Sequence, residues 1–223
     1  VHGFDLAQRL QSLIVLLLSL TVHEFFHAWT AWRLGDDTAA RMGRLTLNPI
    51  AHMDPIGTLL LPLLGVPFGW AKPVPVNPAN FRRGVRMSTG DILVSVAGPL
   101  SNLGLALLAA VVKGLLIRFG PQAIPVGGVA DVLLDSLVLM NIGLAVFNIL
   151  PFPPLDGSHV VGSLVPARWR DGWNAFLRVG PVLLMLLLVF PSVGGFSPLG
   201  RILGPPSSFL VGVVNKIIGG IAP

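Results

Sequence analysis

Five long apolar runs, separated by short polar or Gly/Pro-rich breaks, organise this chain. The first covers about residues 6–34 and stops at Gly35-Asp36-Asp37. Others cover about 88–119, 129–150, 173–190 and 199–221, the last interrupted by Gly204-Pro205-Pro206 and so read as a shorter helix after a turn. A membrane helix needs about 20 apolar residues, and these runs supply them. Between the first and second long runs the pattern changes. Residues 41–49 read as a short strand and turn. The apolar run at 56–66 is too short to cross and reads as re-entrant or partly embedded. Ala71-Lys72-Pro73-Val74-Pro75-Val76-Asn77-Pro78 has Pro at alternate positions, so it is extended and fit only for a sheet edge. A short amphipathic stretch leads to Arg170. The pattern predicts an all-α polytopic membrane protein with a short embedded β-hairpin or re-entrant loop. It is read as one domain over 1–223, with a core at about 6–165 and C-terminal helices at about 173–221.

Composition agrees. The 223 residues are 53% hydrophobic and 11% charged, and the mean hydropathy is +0.78. Soluble domains carry about 25% charge, so a soluble globular fold is excluded. The 26 Gly and 20 Pro fit membrane helices, turns and re-entrant segments. No cysteine is present, which excludes a disulfide framework and a thiolate metal site.

The net charge of +5 changes the picture in one respect. The basic residues lie between apolar runs rather than on a polar domain, so no nucleic-acid partner is expected. They report orientation instead. If 35–86 does not cross, eleven Lys and Arg fall on one face and four on the other. The positive-inside rule then puts the N-terminus outside the cell membrane and the basic face in the cytoplasm. A crossing at 56–66 would break this parity.

The chemistry begins inside the first run. His23-Glu24-Phe25-Phe26-His27 is an H-E-x-x-H pattern. Two imidazoles four residues apart share one helix face and can bind one Zn²⁺, with the intervening Glu as general base. Ionisable groups at membrane depth are costly, which argues for function over chance. The same setting means that this first run is not a discarded leader. The motif begins about 17 residues after Leu6, so a bound metal belongs in the cytoplasmic half of the span.

A catalytic zinc takes a third protein ligand. No further His or Glu follows at metalloprotease spacing, leaving His52, Asp54, Asp91, Asp131, Asp135, Asp156, His159 and Asp171. Asp156 stands out because Pro151, Pro153 and Pro154 stop the preceding run and turn the chain back, and Gly157 permits close approach. It is equally readable as a helix cap. His159 is then the spare ligand. His52 and Asp54, before Pro55, read as a local turn network. Trp29, Trp32 and Trp70 read as interface or packing residues, and Gly98, Gly104 and Gly143 as sites of close helix packing.

Asn148-x-x-Pro151-x-x-Pro154-Leu155-Asp156-Gly157, paired with H-E-x-x-H on the first run, resembles the site-2 protease family of intramembrane zinc metalloproteases. Gly98-Pro99-Leu100-Ser101-Asn102 resembles that family's Gly-Pro-x-x-Asn element. Gly43-Arg44-Leu45-Thr46-Leu47-Asn48-Pro49 and the Pro-Val-Pro-Val-Asn-Pro edge resemble its compact bacterial or archaeal branch, which lacks PDZ and CBS domains. The likeness covers about residues 15–165.

The resemblance implies a three-helix catalytic core plus about two further membrane segments. It implies one Zn²⁺ per chain held by His23, His27 and Asp156, with Glu24 as base. Asn148 and Asn102 would orient substrate or support the oxyanion. The implied substrates are transmembrane proteins cut within the bilayer. Such a helix must unwind, and Val74, Val76 and Asn77 are the candidate edge strand for its freed backbone. Two competing readings remain. One is a metal-binding protein or zinc transporter using the same ligands, although that role needs no base at Glu24. The other is a membrane metalloprotease whose zinc faces soluble substrates.

Overall fold

The computed structural model describes residues 6–64, 69–189 and 198–222. Its helices are α1 (Leu6–Leu34), α2 (Thr38–Arg41), α3 (Pro49–His52), α4 (Leu61–Leu63), α5 (Met87–Phe119), α6 (Val129–Asn148), α7 (Asp156–Leu164), α8 (Arg170–Val189) and α9 (Pro198–Ile221). Five of them, α1, α5, α6, α8 and α9, are long and apolar enough to cross a membrane.

α1 contains neither Gly nor Pro, and it ends where both hydrogen-bonding and conformation demand. Gly35 has φ +111°, open to glycine and strained for other residues. There Gly35 N–H donates to Trp32 O (3.0 Å) and Asp36 N–H to Ala31 O (2.9 Å), the two bonds of a Schellman ending. This turn delivers Asp36 into the interior.

α1, α5 and α6 pack together. Ala106, Ala109 and Ala110 of α5 meet Val138, Ile142 and Val146 of α6, with Val214 of α9 closing the cluster. The alanines let backbones approach, the main source of helix association where lipid is as apolar as the core. Leu16 and Leu20 of α1 pack with Met140 and Leu144 of α6 and with Ala71. α8 and α9 are peripheral: little of the apolar stretch of either is buried, against half of that of α1.

The turn after α6 positions α7. It contains a cis peptide bond between Pro153 and Pro154. A β-carbon on Gly157 would overlap the carbonyl oxygens of Ile149 and Leu150, so glycine alone lets α7 start against the end of α6. Asp156 is the first residue of α7, preceded by Leu155 at the cap position, so the capping alternative does not hold.

Several expectations for local structure are corrected. Among the described residues no strand forms, and the embedded β-hairpin is not seen. Residues 41–49, read as strand and turn, connect the single turns α2 and α3. Asn48 accepts from Ile50 N–H (3.1 Å) with Pro49 next to it, a helix start rather than a strand. The run read at 56–66 is a π-helical turn (Pro55–Leu60) leading into α4; its residues 65 and 66 lie outside the described residues. By Trp70 the chain is back beside this turn: Trp70 N–H donates to Gly57 O (3.3 Å) and Thr58 Oγ1 donates to Trp70 O (2.7 Å).

Helix limits shift slightly. The third run stops at Asn148 rather than 150, and the fourth begins at Arg170; its expected end, Phe190, lies outside the described residues. α9 continues through Pro205 and Pro206 as one helix. Prolines cost helix hydrogen bonds but are tolerated in membrane helices, and here Leu203, Leu210 and Val211 hold the segment on the α5–α6 core. Gly104 and Gly143 mark no close approach, since a β-carbon at either meets open space.

Candidate metal centre

His23 and His27 project from one face of α1, one turn apart, and α7 brings Asp156 to the same point. His23 Nε2 lies 2.9 Å from His27 Nε2. Asp156 Oδ2 is 3.1 Å from His23 Nε2, and Oδ1 is 3.3 Å from His27 Nε2. Among the described residues these three form the one cluster of His, Asp or Glu with metal-holding geometry, their ligand atoms all within 4.8 Å. Both imidazoles are buried, at 4% and 8% exposure.

The other ring nitrogens decide what the cluster can do. His27 Nδ1 lies 2.7 Å from Val94 O, a carbonyl that can only accept, so Nδ1 carries the hydrogen. His23 Nδ1 lies 2.6 Å from Asn102 Oδ1 and donates likewise. In the neutral rings both Nε2 atoms then offer lone pairs to each other and to a carboxylate. Asp156 Oδ2 is buried without a hydrogen bond despite its nearness to His23. Converging lone pairs with no hydrogen between them repel unless a cation lies among them. Two imidazole nitrogens and a carboxylate fit the three protein ligands of a catalytic zinc, and donation from Nδ1 is the usual way such imidazoles are oriented.

α5 makes room for this. A β-carbon at Gly98 would lie 2.6 Å from His23 Nε2 and overlap His27 Nε2. This glycine opens space beside the imidazoles. Pro99 and Ser101 continue the buried face, and Ser101 Oγ donates to Gly98 O (2.7 Å).

Glu24 is next to His23 on α1, and its Oε2 accepts from Val74 N–H (2.9 Å). The stretch 69–77 thus runs beside the motif, held on both sides of Val74. The guanidinium of Arg44, 6% exposed, donates to Lys72 O and to Pro73 O (3.4 Å). Asp36, fully buried, accepts from Asn77 N–H (2.6 Å), Asn80 Nδ2 (3.0 Å), Thr38 N–H (3.1 Å) and the Thr38 hydroxyl. Burial pushes the Asp36 carboxyl up, but these donors outweigh it and hold it below the usual carboxylate range. Val76 lies in the same stretch, half-buried.

The remaining sequence candidates separate. Asn102 is 0% exposed, and its Nδ2 donates to Asn141 Oδ1 (2.7 Å) and to Ser19 O (3.3 Å). With Oδ1 on His23 its side chain is fully used, so it offers nothing to a substrate oxyanion. Asn148, on the last turn of α6, donates to Leu144 O (3.0 Å) and is half-buried. His159 is outside the cluster; it lines a cavity of about 390 Å³ with Asp91, Ser163, Arg170 and Trp173. His52 bonds Thr46 O (2.9 Å), and Asp54 accepts from Ile56 N–H (3.0 Å) and Gly57 N–H (2.7 Å): a local turn network.

Sequence reasoning missed Asp36, Arg44, Ser19 and Asn141. Asp36 reads as part of a helix stop, and no spacing rule links it to Asn77. Asn141 gives one faint signal, a second Asn on the run that ends at Asn148, two helical turns away.

Comparison with known proteins agrees with the geometry. Residues 121–187 match the model described as Peptidase family M50. The chain is 40% identical over 179 residues to the protein named "Putative zinc metalloprotease YwhC" of Bacillus subtilis (strain 168), covering 80% of each. It is 39% identical over 181 residues to "Putative zinc metalloprotease Rip2" of Mycobacterium tuberculosis (strain Erdman), covering 81% of this chain and 67% of that protein. The match to the protein of that name in Mycolicibacterium smegmatis is 34% over 182 residues, 79% of this chain and 66% of that one. No solved structure matches the chain. With a relative this similar over most of both lengths, the chain belongs to peptidase family M50, the site-2 protease family of zinc metalloproteases.

Proposed function

We propose that this chain is a zinc endopeptidase that cleaves the membrane-spanning segments of other membrane proteins. One observation carries the reading. His23 Nε2 and His27 Nε2, on a helix long and apolar enough to span, converge with the Asp156 carboxylate of α7, and Glu24 lies next to His23 on the same helix.

His23, His27 and Asp156 would hold one Zn²⁺ per chain. Bound there, zinc supplies Lewis acidity, bringing a water's pKa towards ~7 and polarising a carbonyl. Glu24 takes the proton of the attacking water and returns it to the leaving amine. The Val74 amide holds one Glu24 oxygen and so limits the carboxylate's freedom. Asn148, at the end of α6, is the amide proposed to orient the substrate backbone.

A substrate helix hides its peptide bonds in its own hydrogen bonds, so it must unwind before cleavage. The stretch with Val74, Val76 and Asn77 is proposed to accept the freed backbone as an edge. Its anchoring to Arg44 and Asp36 supports this, because a pre-ordered edge costs less entropy on binding. The proposed setting is the cell membrane, N-terminus outside and site towards the cytoplasm.

The test is cleavage by the purified protein in detergent, with single-span substrates. Cleavage should stop on zinc chelation and return with added zinc. Activity that is indifferent to the chelator, despite complete metal removal, would contradict the reading.

A further inference from the structure

The network behind His23 reaches beyond Asn102, and every bond in it has a fixed direction. The Ser19 hydroxyl donates to Val15 O (2.7 Å). Its oxygen therefore accepts from Asn141 Nδ2 (2.9 Å), which also donates to Leu137 O (2.8 Å). Asn141 Oδ1 is left to face Asn102 Nδ2 (2.7 Å), and that amide also donates to Ser19 O (3.3 Å). Asn102 Oδ1 is then left for His23 Nδ1–H (2.6 Å).

Three of these acceptors are backbone carbonyls, of Val15, Leu137 and Ser19, and a carbonyl cannot donate. The relay cannot run backwards without leaving groups unpaired. Asn102, Asn141 and Ser19 are all 0% exposed, so no water restores a lost bond. A half-satisfied buried network is costly, which makes this arrangement the stable one.

The geometry points to Asn141 as a positioning residue that selects the tautomer of His23. Its bond to Asn102 Nδ2 (2.7 Å), shorter than the one to the Ser19 carbonyl (3.3 Å), is the stronger of the two that keep the Asn102 amide oxygen towards the imidazole. With the amide reversed, an N–H would face His23 Nδ1, and the ring hydrogen would move to Nε2, the nitrogen that faces His27 and Asp156. A protonated Nε2 has no lone pair for a metal. Asn141 thus acts from α6, two side chains away, on a ligand of α1. This role rests on the proposed zinc site, but the tautomer is a property of the metal-free protein.

The test uses the full chain in detergent with ¹⁵N-labelled histidine. Two variants are compared with the wild type: Asn141→Leu, of similar size without polar atoms, and Asn141→Asp. A buried Asp stays protonated, so its carbonyl still accepts from Asn102 and its hydroxyl donates towards Leu137 or Ser19. Wild type should keep a hydrogen on His23 Nδ1, with or without zinc. Asn141→Leu should shift His23 towards Nε2–H in the metal-free protein and weaken zinc binding ~10–100-fold. Asn141→Asp should keep the wild-type tautomer and stay within a few-fold in affinity. His27 is set by Val94 O and should not change in either variant.

An unchanged His23 tautomer and unchanged zinc affinity in Asn141→Leu would overturn the inference. So would Asn141→Asp losing as much as Asn141→Leu. If His27 also shifts in Asn141→Leu, the fold has been disturbed, and the Asp variant then decides. A wild type that binds no zinc sinks the metal reading alone, because the metal-free tautomers still judge the relay.

Discussion

Gly98 of α5 faces His23 so closely that a β-carbon at position 98 would lie 2.6 Å from His23 Nε2. The same β-carbon would overlap His27 Nε2. The absence of one side chain on α5 therefore sets how the imidazoles on α1 are placed. Gly98→Ala should displace them, costing ~1–3 kcal/mol of stability by overpacking. Displacement of about 1 Å at a reacting centre costs ~100-fold in rate, and at least that loss of cleavage is expected. Gly104→Ala on the same helix is the control. Nothing lies within 4 Å of its β-carbon, so activity should hold.

Gly157→Ala tests the other side of the site. Its β-carbon would overlap the Ile149 and Leu150 carbonyl oxygens, so α7 must retreat from α6. Asp156, one residue earlier, moves with it. Zinc affinity measured against a competing chelator should fall ~10-fold or more, within the range seen for disturbed ligand positioning. Unchanged affinity would show that Asp156 does not depend on this contact.

Asp36 makes a pH prediction. Its carboxyl is held below the usual range in the fold, against ~3.9 unfolded. A lowered folded pKa means that the ionised form stabilises the fold above the unfolded value. That stability is lost as pH falls from ~4 through the folded pKa. Asp36→Asn replaces an acceptor with a donor among four donors, and should cost ~1–3 kcal/mol at neutral pH. The gap between variant and wild type, read as thermal midpoint, should narrow in acid. A gap independent of pH would remove the ionised carboxylate from the account.

The edge makes a substrate-dependent prediction. Val76→Pro removes one backbone donor from the stretch proposed to receive an unwound substrate. Cleavage of a membrane helix should fall several-fold more than cleavage of an unfolded peptide carrying the same scissile bond. Equal effects on the two substrates would argue against an edge that captures freed backbone.

The legible parts of this protein are those that depend on spacing. His23, Glu24 and His27 share one helix, so periodicity places them together before any fold is known. The five spans follow from apolar length alone. Asp156 was reachable because a Pro-rich turn and Gly157 announce a reversal after α6, though a helix cap explained it equally well until the resemblance was considered. The rest depends on juxtaposition. Asp36 with Asn77, Arg44 with Lys72, and Asn141 with Asn102 join segments with no common period. Local pattern misled at 41–49, where Asn48-Pro49 starts a helical turn and no partner strand exists among the described residues. It misled again at Pro205-Pro206, where packing on α5 and α6 keeps α9 continuous.

The central claim is that the convergent ligands serve a hydrolase whose base is Glu24. Glu24→Gln keeps size and hydrogen-bonding while removing the base, and it leaves His23, His27 and Asp156 in place. The measurement is zinc content and cleavage of a single-span substrate by the same purified sample, wild type beside variant. The account predicts wild-type zinc and a loss of cleavage of ~100-fold or more, the scale of general base catalysis. Cleavage persisting at the wild-type rate in Glu24→Gln would contradict it.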